Sequence, residues 1–104
     1  MHYSALHDAT LEQIALDWAE GTSRVEFVYF HDGKRRRGAI LCSGTTHLSC
    51  PRAFPWGRSQ SINSVSVGEH DGRNTLRVEM QSGDELVVQA REFSLEEGEV
   101  VESF

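Results

Sequence analysis

A chain of 104 residues suffices for one domain with a thin hydrophobic core and leaves no room for a deep, elaborate active site. With 38% hydrophobic and 25% charged residues, the composition is that of a globular protein and excludes an extensively disordered or membrane-embedded one. The net charge of −6 opposes approach to a polyanion, which argues against nucleic acid as a partner.

The opening MHYSALHDATLEQ has neither the basic start nor the apolar stretch of a signal peptide, so the expected compartment is the cytoplasm. No apolar run approaches the length of a membrane span, and no membrane association is expected. The segment ATLEQIALDWAEG reads two ways. Leu11, Ile14, Ala15 and Trp18 follow helical spacing, with Asp8 or Thr10 as N-cap and Gly21 as a stop, giving a helix over 9–20 and an α+β fold. Ile14, Leu16 and Trp18 also alternate, as in a strand over 11–18.

Next, SRVEFVYF predicts a strand over 23–30 with Val25, Phe27 and Tyr29 on one face, and Asp32-Gly33 turns the chain after it. A third strand is predicted over 38–49 and a fourth over 60–67, the latter ended by the Asp71-Gly72 turn. Asn63 marks a bulge, because Ile62 and Val65 cannot share one face of a regular strand. TLRVEM and DELVVQA predict a hairpin over 75–80 and 84–91. A three-residue loop with Gly83 in the left-handed position pairs Val78 with Leu86 and Leu76 with Val88, apolar on apolar. The expected fold is mainly β: a single-domain antiparallel sandwich or barrel of about six strands over 1–104. Residues 92–104 read as an acidic tail with room for partial disorder.

The stretch CPRAFPWGRSQSINSV raises a separate question. Pro51 cannot donate to a ladder and should end the strand before it. Pro55 should push Phe54 towards an extended conformation, and Gly57 lets the chain reverse. Phe54 and Trp56 are expected to close one end of the core; the competing reading is a binding loop with Trp56 exposed.

Charge is unevenly distributed. Between Gly33 and Gly68 there is no Asp or Glu, while six of the ten bases fall there: Lys34, Arg35, Arg36, Arg37, Arg52 and Arg58. From Glu92 onward the chain carries acids with no compensating base. One reading has these stretches facing each other across the fold. The other is a basic contact surface of Arg35, Arg36, Arg37, Arg52 and Arg58, with Trp56 as anchor, for another, acidic protein. The alternative class is a small-ligand binder or enzyme with a pocket near Trp56, His47 and the serine-rich strand.

Little in the sequence carries chemistry. His-Asp occurs as His7-Asp8, His31-Asp32 and His70-Asp71; the last two precede Gly and read as turns, and the first has no evident role. The serines lack a nucleophile elbow and a partner histidine, so no enzyme activity is expected. Cys42 and Cys50 read as free thiols, since a single strand over 38–49 would hold them about 26 Å apart. The same geometry weakens a zinc site with His47, and no metal or cofactor is expected.

Three stretches, LHDATL, PRAFPWGRSQSINSV and MQSGDELVV, resemble a family of small bacterial proteins of unknown function. The resemblance implies a β-hairpin opening at the first stretch, which favours a strand over 11–18. It carries no enzymology. Its functional pointer is a likeness to bacterial immunity proteins, which neutralise a toxin by binding it.

Overall fold

The computed structural model describes residues 2–101. A 3-10 turn over Tyr3–Leu6 precedes eight strands: β1 (Thr10–Asp17), β2 (Thr22–His31), β3 (Lys34–Ser43), β4 (His47–Ser49), β5 (Ile62–His70), β6 (Arg73–Met80), β7 (Glu85–Gln89) and β8 (Glu92–Val100). They form two antiparallel four-stranded sheets, ordered β1-β2-β3-β8 and β4-β7-β6-β5. The expected all-β architecture is what the chain adopts, as a sandwich with no closed barrel.

Alternation sets the inner faces. Val25, Phe27 and Tyr29 of β2 are buried, as are Ile40 and Cys42 of β3. The second sheet answers with Leu76, Val78 and Met80 of β6 and Leu86 and Val88 of β7. Each such side chain contributes about 1.5–3 kcal/mol on leaving water. The β6–β7 register pairs Val78 with Leu86 and Leu76 with Val88, and Gly83 has φ +93°, as the apolar pattern requires. Asp32-Gly33 and Asp71-Gly72 all have positive φ, the conformation of tight hairpin turns.

The segment that also reads as a helix is strand β1. Its pairing slips between Leu11 and Gln13, so Glu12 is a bulge. The extra residue puts Leu11 and Ile14, three apart, on the half-buried side, which is why a strand here imitates helical spacing. Asn63 does the same in β5, between Ile62 and Val65.

Two boundaries differ from expectation. The single strand over 38–49 is two strands in different sheets, separated at Gly44, which has φ +65°. The extended-strand separation of Cys42 and Cys50 therefore does not apply, although both thiols are free. Residues from Glu92 to Val100, expected as an acidic tail, are strand β8 on the edge of β3, with Phe93 and Leu95 packed against the core and Glu92, Glu96, Glu97 and Glu99 exposed. The count is thus eight strands instead of about six. Residues 102–104 of that expected tail lie outside the described residues.

Candidate functional site

The loop from Cys50 to Ser61 joins β4 to β5, which lie on opposite edges of the second sheet, and so crosses the end of that sheet. One buried carboxylate organises it. Asp84, 6% exposed, accepts the backbone N–H of Ala53 at 2.7 Å and that of Phe54 at 3.0 Å, and the Ser82 hydroxyl at 2.8 Å. Burial works against the charge on Asp84. The bonds from Ser82, Ala53 and Phe54, with the nearby Arg52, nevertheless hold its carboxyl below the usual carboxylate range.

This carboxylate overrides the local sequence signal. Phe54 has φ +50°, in the left-handed region and away from the extended conformation that Pro55 favours. A non-glycine residue there costs about 1–3 kcal/mol and persists only when its surroundings fix it. The amide bonds to Asp84 are that fixture, because the turn aims two consecutive N–H groups at one anion.

Around this anchor the loop is held on several sides. Arg52 and Arg58 lie over the Phe54 ring, 4.9 and 5.7 Å from its centre. The Trp56 amide donates to Ser82 O at 2.9 Å, and the indole lies against Gly83. Trp56 is 77% exposed, which corrects the expectation that it closes the core; only Phe54 is half-buried. The indole has the backbone of a glycine beneath it.

The role of His7-Asp8 becomes evident here. Asp8 has φ +68°; its carboxylate accepts from Gln81 Nε2 at 2.6 Å, and His7 Nδ1 lies 2.6 Å from Asn63 O. The Leu11 N–H donates to Gln60 O, and the Ile62 N–H to Ala9 O, so the start of β1 is laced to the start of β5. The three stretches LHDATL, PRAFPWGRSQSINSV and MQSGDELVV thus meet at one end of the sandwich.

The predicted contact residues do not all assemble. Arg52, Phe54 and Arg58 line a cleft of about 630 Å³ between β1 and the loop. Trp56 stands outside its lining. Arg35, Arg36 and Arg37 belong to β3 in the other sheet. Arg37 Nε is 3.3 Å from Glu12 Oε1, and the acids of β8 are met from β2, through Arg24 and Glu96 at 3.3 Å. Arg36 sits opposite Tyr29, and Arg36 Nε and the Tyr29 hydroxyl are both buried without a partner. Burial, reinforced by the charge of Glu97, raises the Tyr29 hydroxyl above its usual range. His47 lines a different cleft, with Trp18. Among the described residues no group of three His, Cys, Asp or Glu side chains comes together to hold a metal ion. The sequence signals missed were Asp84 and Gln81, polar residues at the ends of the QSGD turn; Asp84 is the more telling, since it opens a strand whose next residues alternate into the core.

The fold and the loop define a class: an antiparallel β-sandwich carrying an aromatic and basic loop clamped to one end. A crystal structure of an uncharacterized protein from Neisseria gonorrhoeae is similar to it, with a TM-score of 0.61 and 15% identity over 86% of this chain and 90% of that one. That likeness shows the fold alone. No protein-family model and no curated protein matches the chain. No helix among the described residues is long and apolar enough to cross a membrane.

Proposed function

We propose that this domain is a non-enzymatic binding module that docks another protein, acidic in character, through the loop 51–60. Trp56 is its anchor, and Arg52 and Arg58 supply the charge beside it. The observation that carries this reading is the exposure of Trp56, 77%, on a loop whose backbone is fixed by Asp84 and Ser82. Tryptophan and arginine dominate binding energy at protein interfaces. A loop ordered in advance loses little further entropy on association, so more of the contact energy appears as affinity. Arg35, Arg36 and Arg37 act at longer range, steering an acidic partner towards the first sheet.

The second class, a small-ligand site or enzyme around Trp56 and His47, has less support. His47 lines the smaller cleft and not the 630 Å³ one, and Trp56 lines neither. The resemblance to small bacterial proteins, with its pointer to immunity proteins, agrees with a binding role in a bacterial cytoplasm. Neither nucleic acid, membrane nor cofactor has a part in this reading.

The test is affinity capture from the native host with the wild type and Trp56→Ala side by side, read by quantitative mass spectrometry. Binding of the recovered partner is then measured with purified proteins. Trp56→Ala is expected to weaken the partner by about thirtyfold or more, the signature of an interface hot spot. Full retention of the partner by Trp56→Ala would refute the proposal.

A further inference from the structure

Two clefts follow each other along the same pair of elements. In the larger, of about 630 Å³, one wall is Leu11 to Ile14 of β1 and the other is Cys50 to Arg52, with Met80 and Leu86 between them. The smaller, of about 290 Å³, lies between Leu16 to Trp18 and Thr45 to Leu48. β1 is therefore the shared wall of both, and β4 with its flanking residues stands opposite. Both strands are sheet edges. Beyond the Thr10–Ser61 bridge and the Leu11 amide, the outer edge of β1 has no backbone partner among the described residues. The sandwich is open along this seam, and Leu16 and Trp18 are 44% and 89% exposed at its far end.

An unpaired edge is a template for a further strand. The charge at the loop end of the seam says which strand fits. Glu12 is engaged by Arg37, and Asp84 by the loop amides. Arg52 is close enough to act on the Asp84 carboxylate, and Arg58 forms no ion pair among the described residues, so the two arginines leave the loop end with one positive charge in excess.

On these grounds, and resting on the protein-binding reading above, we infer that the seam receives an extended, acidic segment of the partner, added as a strand to the outer edge of β1. Alternate side chains of that segment enter the larger cleft against Leu11, Ile14 and Leu86, and its acidic residues meet Arg52 and Arg58. The eight residues of β1 offer an edge about 26 Å long at about 3.3 Å per residue. A second copy of this chain fits less well. Its other edge strands are less suited: β8 and β5 have Phe93, Leu95, Ile62 and Val65 committed to their own core, and β4 is only three residues long.

The experiment selects a displayed library of short random peptides against the purified protein and maps the bound peptide by amide hydrogen exchange. Enriched peptides should alternate apolar and acidic residues and protect β1 amides beyond Leu11. Their affinity should fall about tenfold in Arg52→Ser/Arg58→Ser at low salt, and it should be unaffected by Trp56→Ala. Failure to enrich peptides, protection confined to other strands, or self-association that fills the β1 edge in analytical ultracentrifugation would each overturn the inference. If Trp56→Ala loses the natural partner while no peptide seats on β1, the loop reading stands and this one fails. If peptides seat on β1 while the partner ignores Trp56→Ala, the edge is the site and the loop is not.

Discussion

Replacing Gly83 with alanine loads the loop 51–60 in two separable ways. The backbone at Gly83 has φ +93°, a conformation that side chains of L-residues rarely adopt and that costs about 1–3 kcal/mol when imposed. A Cβ there would also lie 2.8 Å from Trp56 Cε3, 2.9 Å from Trp56 Cδ2 and 2.8 Å from Pro55 Cγ, closer than carbon atoms tolerate. Overpacking of this kind costs about 1–3 kcal/mol unless the neighbour moves. Trp56→Ala removes part of that clash. With 77% of the indole exposed, only about a quarter of roughly 250 Å² is lost from contact, about 1.5 kcal/mol at 25 cal/mol per Å². A core tryptophan would cost about 3–5 kcal/mol. Urea unfolding of the two single variants and the double variant closes a cycle. Gly83→Ala should destabilise by about 2–5 kcal/mol alone and by about 1–2 kcal/mol less in the Trp56→Ala background. Additive losses, within about 0.5 kcal/mol, would mean that the indole does not sit on Gly83. A loss above about 3 kcal/mol for Trp56→Ala alone would return Trp56 to the core.

Because the Asp84 carboxyl lies below the usual range, its contribution to stability is fully present above the unfolded-state value near 3.8 and disappears as pH falls through its lower folded value. Acid unfolding of the wild type should therefore show a step that Asp84→Asn lacks, and identical acid profiles would refute the anchoring role. Burial raises both thiols, Cys42 and Cys50, but Cys42 is enclosed and Cys50 exposed. A thiol reagent at neutral pH should modify Cys50 alone in the folded protein, more slowly than a free thiol, and reach Cys42 only on unfolding; equal rates for the two would contradict the placement. Replacing Arg35, Arg36 and Arg37 by Ser should slow association with an acidic partner, most at low salt, without changing the dissociation rate. Stopped-flow association over a salt series measures this, and an unchanged rate would leave these arginines with only structural roles such as the Arg37–Glu12 pair.

How much of this was legible depended on whether the cause was local. The β6–β7 hairpin and both Asp-Gly turns could be read because alternation and positive φ are written in adjacent residues. The bulge at Asn63 was legible from the spacing of Ile62 and Val65, whereas the equivalent bulge at Glu12 passed for helical periodicity. β8 was hidden by composition: its many glutamates outweighed the alternation of Phe93 and Leu95 that marks it as a strand. The break at Gly44 was obscured because the apolar residues on either side face the same core from different sheets. The conformation of Phe54 and the exposure of Trp56 were beyond local reasoning, since both follow from a carboxylate thirty residues along the chain. The basic residues were visible in sequence, but the pairing of Arg37 with Glu12 belongs to the register of three strands.

The topology also favours an order of assembly. Strands β1-β2-β3 and β5-β6-β7 are each consecutive neighbours, so each meander needs only short chain closures and forms from nearby residues. What fastens the two together is remote: β8 returns to β3 across half the chain, and the start of β1 reaches Ser61. Until β8 arrives, β3 shows a bare edge whose inward side carries Ile40 and Cys42. Refolding followed by stopped-flow fluorescence is therefore expected to be slow and to lose yield as protein concentration rises, because the waiting edge of β3 is as open to a neighbouring molecule as to its own β8; a yield independent of concentration would refute this order.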